Sequence, residues 1–433
     1  MKGYKLSKYV EKVFETPSSE YSVWFGYYNY DPLNSDHTKI LCNRIKEDGI
    51  HPRANLKVEV GFYDLASSEW HHVGESDSWN WQQGCMAQWL NDNEIIYNSS
   101  CNNHNIAVIY NIQTGIKRKI DWAIYGITPD GKKSITLDME RAHWCRAYHY
   151  QSVVDEAKDG LVYKDDGIFE IDLQNNSRRR LISIQDIISL DSRSYFSNAK
   201  HWLEHVMINP EGTKFCVLHR FSPVDNIFKY VTRLIIVDIQ SLRMECIPNW
   251  EKNQWSHFGW DGDNFAIYTY PQKSTVSLEQ TISTQKLPKG KSKKMSFKRF
   301  IAERVRRVIP LAWEKRMRGL ITCYQYYEFK NGRYELSCVF KHAPFLIDGH
   351  PTFISDRQEM ITDTYPDHNG VQKLLLLDRS KDKVVELGRF NAYYRNNPAS
   401  CDLHPKVSKD GQYVVVDSAH DEKHHMLVLK LKY

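Results

Sequence analysis

The chain has 433 residues and a formal net charge of +5, and it is rich in aromatic side chains, with 26 Tyr, 17 Phe and 12 Trp. Single cores stop growing at roughly 250 to 300 residues, so the length excludes one ordinary compact core. What remains is several domains or a radially repeated fold in which each repeat packs on its neighbours. The mild charge gives no reason to expect nucleic acid as a partner, and 9 scattered Cys without a C-x-x-C pair exclude a complete disulfide framework.

Residues 1–19 are broken by charges and lack the apolar run of a secretory signal. No later segment offers about 18 uncharged apolar residues, so no spanning helix is expected and the chain reads as cytoplasmic. Beyond this start a pattern recurs: a β-rich run, a turn with Asp, Asn or Gly, a second run, and a third that ends in Asp. Turn chemistry is strongest at Thr128-Pro129-Asp130-Gly131, Asn209-Pro210-Glu211-Gly212 and Ser408-Lys409-Asp410-Gly411. Pro presets φ and Gly accepts positive φ, so these segments predict tight hairpins.

Seven units follow in chain order. The first carries Tyr28–Pro32, Lys39–Cys42 and Val58–Asp64; the second runs from Met86 to Asn111; the third spans Tyr125 to about Ile182. The fourth starts near His205 and closes at Asp238, the fifth begins at His257, the sixth runs from His350 to Asp378, and the seventh from His404 to Leu431. The last unit stops at its third strand, and Tyr9–Phe14 is the natural donor of the missing outer strand, leaving no open edge. The expectation is an all-β chain: one domain over 1–433, a seven-bladed β-propeller with a helical basic insertion in blade five.

That insertion, 271–323, has a different character. From Lys286 to Arg318 it holds 13 Lys/Arg against Glu303 and Glu314. Phe297, Ile301, Val305 and Val308 follow helical spacing amid cations, a basic amphipathic helix that suits contact with an anionic membrane through 295–318. The expected location is therefore cytoplasmic and peripheral, at the inner face of the cell membrane.

His205, His257, His350 and His404 stand at the starts of four successive inner strands, far apart in sequence yet convergent under radial symmetry. Histidine is both a divalent-metal ligand and a proton carrier near neutral pH. The fragments Ser256–Gly262, Gly349–Phe353 and Leu403–Gly411 resemble the His-containing blade motifs of the TolB-like and oligogalacturonate-lyase-like propellers. The resemblance implies a channel-mouth site in which histidines and a glutamine hold a divalent metal, usually manganese, with an arginine as base. Carried over residue by residue it falls on His257 and on His404, with His350 as a third candidate ligand. The last blade departs from that pattern, offering one His where the lyases have a Gln and two His. The cluster is thus read either as a manganese-type metal site or as a polar site of His, Arg and Tyr alone.

An acidic oligo- or polysaccharide is the expected partner, and a polysaccharide-lyase-like β-elimination on a uronate-containing glycan, in surface-polysaccharide metabolism, the expected reaction. It needs a group to neutralise the carboxylate, a base for the C5 proton and an acid for the departing oxygen. Arg220, His205 and Tyr365 fit those duties by chemical type. Trp79, Trp81, Gln82 and Gln83 offer stacking faces and amides to a sugar, and Asn209, His219 and Asp363 are further polar groups expected on the rim. No G-x-S-x-G, P-loop or H-E-x-x-H motif competes. The rival readings are a non-catalytic glycan- or protein-binding propeller, a glycoside hydrolase using Glu204, Asp363 or Asp417, and a glycosyltransferase-like enzyme.

Overall fold

A computed structural model of the protein describes residues 3–47, 49–50, 52–145, 150, 152–224, 226, 229–271, 275–284, 322–393 and 399–432. They form seven antiparallel sheets, five with their strands in chain order from the inside outward and two, blades 6 and 7, completed on the outside by strands from the N-terminal segment. The inner strands are Ser22–Trp24, Gln88–Asn91, Gly126–Ile127, Lys200–Ile208, Asn253–Asp261, Thr352–Ile354 and Lys406–Val407, for blades 1 to 7. This is the expected seven-bladed β-propeller.

Local chemistry explains the hairpins. In three blades the turn between the first two strands closes identically: Thr128 N donates to Lys133 O, Asn209 N to Lys214 O and Ser408 N to Tyr413 O, each at 2.9 Å. Gly131, Gly212 and Gly411 take φ of 68°, 69° and 68° there, the left-handed region where a Cβ is costly. At the turn after the third strand, on the same end of the sheet, the recurring Asp accepts backbone N–H groups: Asp64 from Ala66 and Ser67, Asp172 from Gln174 and Asn175. Such Asx turns account for the Asp that ends the third strand in four blades and the Asn that ends it in blade 2.

The ring closes as expected. Val10–Glu15 pairs with His425–Leu431 as the outer strand of blade 7, in the register Val10 to Leu431. A second N-terminal strand, Tyr4–Leu6, adds a fifth strand to blade 6 by pairing with Lys383–Asn391. The chain start thus covers two neighbouring edges, removing pairing templates.

Two sequence expectations are corrected. Tyr28–Pro32 is not the first strand of blade 1: Ser22–Trp24 is, and residues 25–32 leave the sheet before Leu33 bridges Ile40. His205 and His257 do not start their strands but lie inside Lys200–Ile208 and Asn253–Asp261. Of the insertion, its end residues 271 and 322–323 and a helix over Thr275–Thr284 are described, with Ile282 buried in the largest apolar cluster. The basic segment 295–318 lies outside the described residues. Among the described residues, no helix is long and apolar enough to cross a membrane.

Candidate functional site

Four of the inner strands share one irregularity, and it shapes the site. In blade 4, Glu204 pairs with Leu218 and Met207 with Cys216, so one residue too many stands on the inner strand. Blade 5 repeats this between Trp255 and Phe258. In blade 2, Asn98 N donates to Cys85 O while Gln88 pairs with Ile96; in blade 7, Asp417 N donates to Leu403 O while Lys406 pairs with Val415. Each is a β-bulge at the same depth, and a bulge re-aims a side chain. Met86, His205 and His404 follow the last paired residue with φ of 56°, 56° and 44°, a conformation rare outside glycine that persists only where surroundings enforce it.

In blade 1 the irregularity grows into the 25–32 excursion, which enters the channel. Asp417 of blade 7 anchors it by accepting Phe25 N at 3.1 Å and Gly26 N at 3.2 Å. Tyr28 reaches across to blade 5, where its hydroxyl donates to Phe258 O at 2.8 Å and accepts from Phe258 N at 3.2 Å. Tyr27 and Tyr28 are 5% and 2% exposed, so aromatic rings fill the channel beside the histidines.

Three predicted ligands come together. The His350 ring centroid lies 4.1 Å from that of His257 and 4.3 Å from that of His404. Each donates Nδ1–H to a fixed acceptor: His257 to Asp348 at 3.2 Å, His350 to Asp363 at 2.9 Å, and His404 to the Gly26 carbonyl at 2.5 Å. This choice of tautomer leaves every Nε2 with its lone pair, the arrangement that outer partners impose on metal-bound imidazoles. His404 Nε2 is buried with no hydrogen-bond partner and faces Asp402 Oδ2 at 3.9 Å. Donor atoms of His350, Asp402 and His404 all lie within 4.8 Å of one another.

Electrostatics point the same way. Burial pushes His350 and His404 well below the usual imidazole range, reinforced for both by neighbouring histidines, so both are neutral at pH 7. Burial, then Asp363 and Asp348, push Asp402 well above the usual carboxylate range. Among the described residues no Lys or Arg bonds to Asp348, Asp363 or Asp402. A buried group of carboxylates and neutral imidazoles lacks a counter-charge, and a divalent cation supplies one.

The remaining predicted residues separate into two groups. Asp363 joins the site, also accepting the backbone N–H of His350 at 2.7 Å and of His404 at 3.2 Å. Tyr365 stands beside it, ring centroids 5.9 Å from His257 and 5.8 Å from His350. Gln82 reaches the Asp402 carboxylate and donates to Ser400 O at 2.9 Å, while Gln83 donates to Tyr125 Oη at 2.8 Å. His205 is stacked on Tyr27 at 5.2 Å, with Nδ1 3.5 Å from Tyr125 Oη and Nε2 3.6 Å from Glu204. Arg220 is paired with that Glu204 and capped by the Tyr230 ring at 4.6 Å.

Trp79, Trp81, Asn209 and His219 lie away from the cluster. The indoles are 1% and 5% exposed, pack with Trp24, and donate to Leu56 O and Ile50 O, so neither presents a face to a sugar. Asn209 heads the hairpin turn of blade 4, its Oδ1 accepting Thr213 N and Lys214 N. His219 is buried within that blade, stacked on His201. Sequence reading missed Asp348 and Asp402, although Asp348-Gly349-His350 and Asp402-Leu403-His404 repeat one D-x-H signal in successive blades. An open groove of about 550 Å³ between blades 1 and 2, lined by Asp36, Asp64 and Asp92, lies at the hairpin turns and shares none of these residues.

No protein-family model matches the chain, and no curated protein matches it. Among solved structures, the tricorn protease is 10% identical, with 96% of this chain and 35% of that one covered and a TM-score of 0.49. TolB from Acinetobacter baumannii is 13% identical, covering 88% and 78%, with a TM-score of 0.38. The β-propeller domain of the Trilobed protease from Pyrococcus furiosus is 12% identical, covering 78% and 80%, with a TM-score of 0.41. This chain therefore spans about a third of the tricorn protease, and at such identities the likeness concerns fold alone.

Proposed function

We propose that the protein is a carbohydrate-active enzyme that holds a divalent cation of the manganese type on His350, His404 and Asp402 and cleaves a uronate-containing glycan by β-elimination. The observation that carries this reading is the buried donor set, with its three oriented imidazoles and the unpartnered Nε2 of His404. The blade motifs around His257, His350 and His404 support the substrate class by their resemblance to oligogalacturonate lyases. When bound, the ion supplies Lewis-acid polarisation of the substrate carboxylate.

The chain's own residues then divide the proton transfers. His257 is side-chain exposed by 16%, and Asp348 fixes its tautomer, so its Nε2 takes the C5 proton of the sugar. It replaces His205 in that duty, because both ring nitrogens of His205 face partners of their own. Burial, then Asp402, Asp348 and Asp363, hold the Tyr365 phenol well above its usual value. Tyr365 thus keeps its proton at neutral pH and delivers it to the C4 oxygen as the C4–O bond breaks and a C4–C5 double bond forms. Arg220 and Glu204 act on position only, bracing His205 and the wall beside it.

The test is chelated protein, with and without added Mn²⁺, incubated with galacturonate and glucuronate oligosaccharides. The expected result is the ultraviolet absorbance of an unsaturated uronate, abolished by His404→Ala and lowered about 10²-fold or more by Tyr365→Phe. Saturable binding of the oligosaccharides without product assigns a binding module instead. Full activity of His404→Ala overturns the metal's part.

A further inference from the structure

The second cluster of metal-competent side chains sits at the seam where the ring closes. The blade 7 hairpin joins Tyr413–Ser418 to His425–Leu431 through the turn Ala419–His424, and it carries the run His420-Asp421-Glu422-Lys423-His424-His425. Donor atoms of His420, Asp421 and His425 lie within 4.8 Å of one another. His425 Nε2 is 3.1 Å from both Asp421 oxygens, and the two imidazole centroids are 5.0 Å apart. From the N-terminal strand, Glu15 Oε1 approaches His420 Nε2 to 3.4 Å.

We propose that this seam is a second metal site, of the zinc type, with His420, Asp421 and His425 from the last hairpin and Glu15 from the first strands as ligands. Two ligands on a tetrahedral ion at roughly 2.0 to 2.1 Å stand about 3.4 Å apart. The His425–Asp421 and His420–Glu15 separations of 3.1 Å and 3.4 Å are already at that spacing. Imidazole and carboxylate together suit zinc. The supporting contacts are also in place. His420 Nδ1 is 3.1 Å from Ser418 Oγ, a partner for the ring nitrogen that does not ligate. Tyr4 donates to Glu15 Oε2 at 2.9 Å and Lys12 pairs with the same oxygen, which leaves Oε1 turned to the histidine.

Both imidazoles are nearly buried, at 7% and 6% side-chain exposure, while Asp421 at 53% opens the site to solvent. A bound ion replaces two hydrogen-bonding protons and joins chain start to chain end, so it fastens the ring. This site is independent of the channel cluster and of the reaction assigned to it.

The experiment uses full-length protein carrying His404→Ala, which removes the channel donor set. Zinc chloride alone is titrated by calorimetry and by thermal melting. One equivalent of zinc binds and raises the melting temperature; His420→Gln with His425→Gln abolishes both effects, and Glu15→Gln weakens binding about tenfold. Absence of a bound equivalent in the His404→Ala protein overturns the proposal without need of any seam variant. So does retention of that equivalent by the His420→Gln, His425→Gln protein.

Discussion

Asp363 sets much of the channel site without belonging to the proposed ligand set. Its carboxylate orients the His350 ring through Nδ1 and ties down the backbone of both His350 and His404. A ligand's outer partner typically contributes 10- to 100-fold in metal affinity. Asp363→Asn keeps the shape but presents an amide N–H to some of these donors, so manganese affinity at the channel should fall by about 10- to 100-fold. Competition against a chelating dye measures this, with Tyr365→Phe as the variant that leaves affinity unchanged. Equal affinity in wild type and Asp363→Asn would count against the ligand set.

At the scale of elements, the inner strands explain what was legible and what was not. Hairpin turns were readable because Pro129, Gly131 and their counterparts act within four residues. The bulges were not, because an extra residue is defined only against the partner strand, as Cys216 and Leu218 define the one at His205. Tyr28–Pro32 reads as a strand for the same reason: its aromatics suit a strand, and only the channel shows where they go. Trp79 and Trp81 looked like sugar platforms until Trp24 covered them. Asp402 was within reach of the sequence, since the D-x-H repeat marks it.

Blade 4 carries a different device, a buried chain in which Arg233 donates to His219 Nδ1, His219 to His201 and His201 to Phe196 O. Burial drives His201 down to about 4 and takes His219 well below the usual imidazole range, so both are neutral in the fold. The unfolded chain takes these protons at about 6.5. Folded values depressed below unfolded ones mean stability that is full above that pH and lost as pH falls toward 4. The shift of His201 alone corresponds to roughly 3 kcal/mol. Urea midpoints should decline between those limits in wild type and run flatter in a His201→Gln, His219→Gln protein; parallel profiles would remove the pair from the account.

For the whole molecule the argument turns on closure. Seven sheets packed side by side leave the first and last free to separate unless something spans the gap; Val10–Glu15 does so, paired into blade 7 and leading on to the first strand of blade 1, while Tyr4–Leu6 adds a hold on blade 6. Val10 and Phe14 are 6% and 5% exposed at the seam. Burying such side chains stabilises by about 1.5 to 3 kcal/mol each, against a typical total of roughly 5 to 15 kcal/mol. Removal of residues 1–15 also bares the hydrogen-bonding edges of Lys383–Asn391 and His425–Leu431 on adjacent blades. The truncated protein should therefore unfold at lower denaturant and self-associate through those edges, as light scattering would record. A synthetic peptide of residues 1–15 added in trans should recover part of the midpoint, because it restores pairing without the covalent link. An unchanged midpoint after truncation would mean that the other six blade contacts hold the ring unaided, and the seam would then be a site for ligands and not for stability.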